Sequence, residues 1–499
     1  MNSEPHLARR TQKSTRLLPL VKLVRRAIFL IHRWLGITIG LLMLMWAASG
    51  IVMMYVAFPE TSEEERLAGL QPLDLSECCE IADLPDPAGV QSLRVEMLTG
   101  RPALMWTGAW GPQMVGLDGA PLPEVDPEQA LATARLHMQR TTGTSPESSV
   151  TVTGTDQWTV YGSLRLHSPL YKVDFADAAR TTLYVSGLSG TIVQDTTAHE
   201  RFWNWLGAVP HWLYFTAIRS QPALWSNLVI YGSLLGAFLT VTGLYFGIHQ
   251  FGRGGRVSPY RGLAWWHHWT GLAFGILTLT WVVSGLFSMQ PWGMFASDGP
   301  GEERAALAGR APERADLEAL LAALAENRRS DIVSASLSVQ DGAPWAILAG
   351  SDGTKIRASL PGLAQAPLDT GELEARARSA KPGTQIGRME MISRPDAYYY
   401  GHKREVELPV LRTIYADEDG TRLYLSPRTG EMVGFADPTS RAYRWLFNGL
   451  HRMDFFHALR QRPLWDAVTL PLLGGVTLLC FIGSWIGIRR LRRKLGRIT

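Results

Sequence analysis

The chain has 499 residues, of which 46% are hydrophobic, 10% aromatic and 19% charged, with a formal net charge of +4 and a mean hydropathy near zero. That apolar content excludes a disordered chain, and three cysteines in this length exclude a disulfide scaffold. The near-zero hydropathy averages over a sharp segregation: charge is almost absent from four apolar blocks, and the eighteen tryptophans gather beside them.

In chain order, a basic segment, 1–26, carries Arg9, Arg10, Lys13, Arg16, Lys22, Arg25 and Arg26 and leads into the first block, 27–57. The other blocks cover 226–248, 263–290 and 466–488. Each holds the roughly 20 residues that a helix needs to cross a bilayer. The first is too long for a signal-peptide core and lacks a small-residue cleavage site after it, so it reads as a retained anchor. The link 249–262 carries Arg253, Arg256 and Arg261, and the tail 489–499 carries Arg489, Arg490, Arg492, Arg493, Lys494 and Arg497. If every block spans, these basic segments share one side, and the positive-inside rule places both termini in the cytoplasm. The net charge is then a topological signal that implies no nucleic-acid partner.

The connections 58–225 and 291–465 read as two external α+β modules, each closing on an interfacial helix. In the first, Asp126–Arg140 predicts a helix capped by Asp126 with Pro127 at its first position. Strand-like alternation follows in Ser149–Val160, Leu170–Phe175, Thr181–Val185 and Gly190–Gln194. Phe202–Ile218 reads as an amphipathic helix lying in the interface. The second module has helical Asp316–Asn327 and Gly371–Ser379. Its strands are expected at Val333–Val339, Trp345–Ala349, Arg412–Ala416, Arg422–Leu425 and Glu431–Val433.

The chain repeats itself. His32–Tyr55 aligns without gaps to His267–Gln290, pairing His32/His267, Trp34/Trp269, Gly36/Gly271, Gly40/Gly275, Trp46/Trp281, Ser49/Ser284 and Gly50/Gly285. Further along, Leu183–Val193 matches Leu423–Val433, and Trp205, His211, Phe215, Gln221 and Trp225 match Trp445, His451, Phe455, Gln461 and Trp465. Each half is span, module, interfacial segment, span. Both halves start inside, so the repeat is parallel, about an axis along the membrane normal. The glycines at helical spacing are small-xxx-small faces for close helix approach.

Ionisable residues inside a membrane are functional candidates, and the duplication sorts the twelve histidines. It retains His32 with His267 at the cytoplasmic side and His211 with His451 at the outer side. Imidazole is a common axial ligand of haem iron, so these four residues are the cofactor candidates: two b-type haems, one near each face. His249 and His268 remain alternates at the inner side. The competing reading makes the histidines interfacial anchors beside tryptophan. No CxxCH pattern occurs, so the haem is non-covalent. Cys78-Cys79 reads as an incidental pair and Cys480 as packing. Asp396–Tyr400 with His402, Lys403 and Arg404 is an aromatic-cationic surface cluster, and Glu63-Glu64-Glu65 a solvated acidic run. Zinc spacings, phosphate loops and nicotinamide fingerprints are absent, which leaves the reductant to a cytoplasmic partner or a membrane quinol.

The HxW-x-G-xxx-G span starts, the LYVSGLSGTIV and LYLSPRTGEMV strands and the GLHRMDFFHALRQRPLW segment together resemble the PepSY-associated transmembrane-helix family, from about Arg26 to Arg493. The resemblance implies a bacterial inner-membrane protein with four transmembrane helices in two parallel repeats and two PepSY-like extracytoplasmic modules. It implies a ferric-siderophore reductase that passes electrons through two b haems to a periplasmic Fe(III) chelate, with His32 and His267 as inner and His211 and His451 as outer ligands. The large external modules depart from smaller members. Two alternatives stand beside it: a PepSY-type binding or signalling protein that restrains a peptidase, and an iron-siderophore permease. Against the permease, the spans lack Asp and Glu at mid-depth, and Pro471 is the one candidate kink.

Overall fold

The computed structural model describes residues 8–76, 86–87, 91–108, 111–117, 122, 124–252, 257–401 and 405–496. Cys78-Cys79, Arg253, Arg256, His402, Lys403, Arg404 and Arg497 lie outside the described residues. The chain divides into two units, one formed by the long helices and their flanks, the other by Phe58–Phe202 with Phe295–Ala442.

Among the described residues, four helices are long and apolar enough to cross a membrane: α1 (Ala8–Met53), α2 (Pro222–Gln250), α3 (Leu263–Ser288) and α4 (Leu464–Leu495). They carry apolar side chains all round, and Phe238, Ile276 and Phe481 point outward, the pattern of helices whose outer face meets lipid. The first apolar stretch begins at Lys22 rather than residue 27, and its helix continues back into the basic segment to Ala8. Arginine and lysine are good helix formers, so the charged flank extends the helix.

Packing follows the duplication. α1 lies against α2 and α4, and α3 lies against the same two helices. A Cβ added at Gly40 would meet Ser484 Oγ at 3.3 Å, and one at Gly275 would meet Leu244 Cδ2 at 2.6 Å. Leu244 and Ser484 hold matching places in the two halves, so the repeated glycines seat equivalent helix contacts. Met43, Ala47, Leu239, Trp465, Leu473, Val476 and Cys480 fill the interior between the helices.

The described residues of the other unit form three antiparallel sheets. In chain order its strands are β1 (Gln91–Leu98), β2 (Arg101–Gly108), β3 (Gly111–Gly116), β4 (Ser148–Thr153), β5 (Leu170–Phe175), β6 (Thr182–Ser186), β7 (Ile192–Thr196), β8 (Ile332–Gln340), β9 (Ala343–Gly350), β10 (Lys355–Ser359), β11 (Ile386–Ile392), β12 (Val410–Tyr415), β13 (Arg422–Leu425) and β14 (Met432–Ala436). Two four-stranded meanders, β4-β5-β6-β7 and β11-β12-β13-β14, repeat one another. The helix Pro127–Thr142 packs into the core of the first, and Thr370–Ser379 together with Leu307 of Gly301–Ala308 into that of the second. Asp126 caps the former as its spacing predicts, accepting from Gln129 N at 2.8 Å. The expected strand to Val160 stops at Thr153, because Asp156 turns the chain by accepting from the Trp158 and Thr159 amides.

The third sheet, in the order β10-β9-β8-β1-β2-β3, joins both connections. β1 pairs antiparallel with β8, placing Val95 opposite Ala335 and Glu96 opposite Ser334. Glu96 is fully buried at this seam, where it accepts from Arg66 Nη1 at 2.9 Å and Ser334 Oγ at 2.9 Å. The segments read as two modules therefore share one hydrophobic core, from Leu93 and Leu104 to Leu320 and Leu348. Glu63-Glu64-Glu65 forms the first turn of a capped helix, Glu63–Gly69, with Glu65 reciprocating the Ser62 cap.

His137, on the Pro127–Thr142 helix, is 8% exposed and lies over Gly69, where any side chain would overlap its ring. Burial pushes its pKa down to about 4, below the 6.5 of an open imidazole. The unfolded chain then takes up the proton first, so stability is fully present above pH 6.5 and falls as the pH drops toward 4. Denaturation between pH 7 and 4.5 should show a loss of about 2 kcal/mol, and His137→Leu should flatten that slope.

Candidate functional site

The four duplicated histidines occupy two levels of the helical unit. Gly50 follows His32 on α1, and Gly285 follows His267 on α3, by the same 18 positions, a rise of about 27 Å.

At one level, His211 ends the short helix Ala208–His211, and His451 lies within Leu450–Arg452. The expected single interfacial helix is broken here into Ala198–Leu206, Ala208–His211 and Thr216–Arg219. Leu213 adopts a left-handed φ of 54°, and Tyr214 N bonds back to Val209 O at 2.8 Å. The second half repeats the turn, with Met453 at φ 56° and Asp454 N bonded to Gly449 O at 3.1 Å. A continuous helix cannot turn back in this way; the duplicated hairpin returns each histidine to the long helices. Trp225 Nε1 donates to Trp212 O at 2.7 Å, and Trp465 Nε1 to Arg452 O at 2.8 Å, tying each turn to the following helix.

The two imidazoles are held alike. His211 Nδ1 lies 3.0 Å from Trp46 O and 3.2 Å from Ser49 Oγ. His451 Nδ1 lies 3.2 Å from Trp281 O and 3.1 Å from Ser284 Oγ. A carbonyl accepts only, so each Nδ1 carries the proton and each Nε2 keeps its lone pair. Neither Nε2 has a hydrogen-bond partner among the described residues. Burial lowers the His211 pKa to about 4 and that of His451 to about 3, the latter helped by the charges of His211 and Arg452, so both rings are neutral at pH 7. The ring centroids stand 6.2 Å apart with planes crossing at 65°. Each ring lies over a glycine, with an added Cβ at Gly50 or Gly285 meeting Cε1 at 3.5 Å or 3.3 Å. Phe447 stacks on the His451 ring at 5.3 Å.

At the other level, His32 Nδ1 lies 3.1 Å from Leu239 O and 3.1 Å from Thr242 Oγ1 of α2. His267 faces the matching Leu479 carbonyl of α4, outside hydrogen-bond geometry, and Ile482 replaces the threonine. Added Cβ atoms at Gly243 and Gly483 would meet the Cε1 atoms of His32 and His267, both at 2.9 Å. The alternates differ. His268 uses both ring nitrogens, Nδ1 with Ser258 Oγ and Nε2 with Gly247 O, each at 2.9 Å. Nε2–H donates to the Gly247 carbonyl, and the Nδ1 lone pair is left to accept from the Ser258 hydroxyl. His249 stacks on Tyr245 at 5.8 Å.

The serines and tryptophan carbonyls that orient His211 and His451 belong to a duplicated Trp-x-x-Ser-Gly, Trp46–Gly50 and Trp281–Gly285. The sequence displays that signal as repeat identities, without its role. Among the described residues, no three His, Cys, Asp or Glu side chains gather as a site for a bare metal ion. Two facing imidazoles suit instead a metal that brings its other ligands with it. With metal–nitrogen bonds of about 2 Å, two imidazoles sharing one metal can have centroids roughly 6 Å apart, and the 6.2 Å between His211 and His451 is compatible with a group held by two imidazole donors. No family model matches the chain, and no curated protein sequence matches it.

The glycine contacts give a test independent of any ligand. Gly243→Val and Gly483→Val force a branched side chain onto His32 and His267 and should lower stability by about 1–3 kcal/mol. Gly36→Ala, with nothing within 4 Å, should leave it unchanged. Thermal melts of the detergent-solubilised variants read the difference.

Proposed function

We propose that this chain is a b-haem oxidoreductase that carries electrons across a bilayer. The observation that supports it is the duplicated imidazole pair: two neutral histidines, each with Nδ1 committed to a carbonyl and Nε2 left as a donor, 6.2 Å apart. In this reading the four apolar helices span a bacterial inner membrane with both termini cytoplasmic and the sheet unit periplasmic. His211 and His451 would hold the outer haem, and His32 and His267 the inner one, both non-covalently. A haem held by these histidines would supply one-electron redox chemistry.

The remaining work belongs to the chain. Donation from Nδ1–H to Trp46 O and Trp281 O fixes the tautomer and ring orientation and raises the basicity of Nε2. The serine hydroxyls brace the same nitrogens, and the glycines leave the approach open. Burial among apolar side chains keeps the imidazoles neutral and ready to ligate without losing a proton. A cytoplasmic reductant or a membrane quinol supplies the electron at the inner level.

The acceptor in this proposal is a periplasmic Fe(III) chelate, as the resemblance to PepSY-associated ferric-siderophore reductases implies. Oxygen-rich chelators bind Fe(II) more weakly than Fe(III), so one electron releases the iron.

The reduced-minus-oxidised spectrum of protein purified from haem-replete cells should show Soret and alpha bands for two b haems. His211→Ala or His451→Ala should remove one haem and leave the other, whereas His268→Ala should retain both. A wild-type spectrum without haem bands overturns the reading.

A further inference from the structure

The turn that carries His451 is built around charges that the His211 turn lacks. Asp454, fully buried, closes it through its amide, which donates to Gly449 O at 3.1 Å. Arg444 Nη2 donates to Asp454 O at 2.7 Å and reaches Asp454 Oδ1 at 3.2 Å, and Arg460 Nε donates to the same Oδ1 at 2.5 Å. Arg444 is 4% exposed. The matching residues of the first half are Asn204, Tyr214 and Ser220. There the turn closes through the same backbone bond, and its cation is Arg219, laid over the rings of Tyr214 and Trp225. The carboxylate is thus an addition to a duplicated scaffold, set three residues from one candidate ligand.

Here one buried carboxylate meets two guanidinium groups, those of Arg444 and Arg460. Arg452, next to His451, places a third guanidinium over the Phe447 ring that stacks on His451. A charge in so poorly hydrated a place is weakly screened and acts on whatever changes charge beside it. We propose that Asp454, with Arg444 and Arg460, is the positioning and tuning device of the outer redox centre: it fixes the His451 turn, and its charge balance sets that centre's reduction potential. The inference rests on the haem reading above. Reduction adds one negative charge at the metal, so neighbouring positive charge favours the reduced state and raises the potential.

The experiment is a redox titration of the full-length purified protein, followed in the visible spectrum. The outer couple is identified as the one lost in His211→Ala. Asp454→Asn removes the negative charge and should move that couple upward. Arg460→Gln removes a positive charge and should move it downward. Asp454→Glu and Arg460→Lys keep the charges and should restore the wild-type position, while the inner couple moves least in all four. Opposite shifts with conservative rescue are the expected result. If both neutral variants leave the outer couple in place, or shift it in the same direction, the inference is overturned although the haem reading stands. A wild-type protein without haem overturns both. If Asp454→Asn does not fold, the Arg460→Gln and Arg460→Lys pair decides the sign alone.

Discussion

Each of the two facing imidazoles depends on one hydrogen bond, from Nδ1 to a tryptophan carbonyl one turn before a glycine on a long helix. That carbonyl is already part of a helix, so it is rigid, and its shared use orients the ring without a dedicated side chain. The serine one residue before the glycine adds a second contact, and the glycine removes the Cβ that would crowd the ring. The hairpin with its left-handed residue is what brings histidine to this ledge, and the indole bond from Trp225 or Trp465 holds the hairpin down. Without the carbonyl–imidazole bond, only the serine contact would be left to orient each ring.

Duplication explains why the arrangement is paired. A single half offers one imidazole with a free lone pair; two halves around an axis offer two that converge. The helix contacts follow the same logic, because Gly40 and Gly275 seat matching residues of the opposite half. The copies are not identical, however. Thr242 supports His32 but has Ile482 as its counterpart, and Phe447 stacks on His451 where the first half has Gly207. Symmetry supplies the site, and departures from it are where two ends of an otherwise equivalent device acquire different properties.

Much of this was legible in the sequence for a physical reason: spans and repeats are signals of composition and spacing. The four apolar helices followed from hydropathy, and the short meanders from alternation at Leu170–Phe175 and Arg422–Leu425, which the strands match. Strands β1, β2 and β3 were not anticipated, and neither was the sheet they build with β8. Pairing between residues more than two hundred positions apart leaves no local pattern, and Glu96 looks like a surface residue until Arg66 and Ser334 are found around it. The hairpins were misread as one amphipathic helix because their apolar content is helix-like, whereas the left-handed residues, Leu213 and Met453, are not of a type that advertises a turn.

The histidines themselves were selected by repetition alone, and geometry then separates them in a way repetition cannot. His268 sits beside a duplicated histidine in sequence and is as deeply buried, yet both its nitrogens are bound, to Ser258 and to Gly247. His211 and His451 spend one nitrogen each and keep the other. A buried imidazole with two partners is a structural strut; one with a single carbonyl partner has its lone pair oriented for use. That difference in hydrogen-bond accounting, rather than burial or position along the chain, is what distinguishes a ligand-competent histidine from its neighbour in this protein.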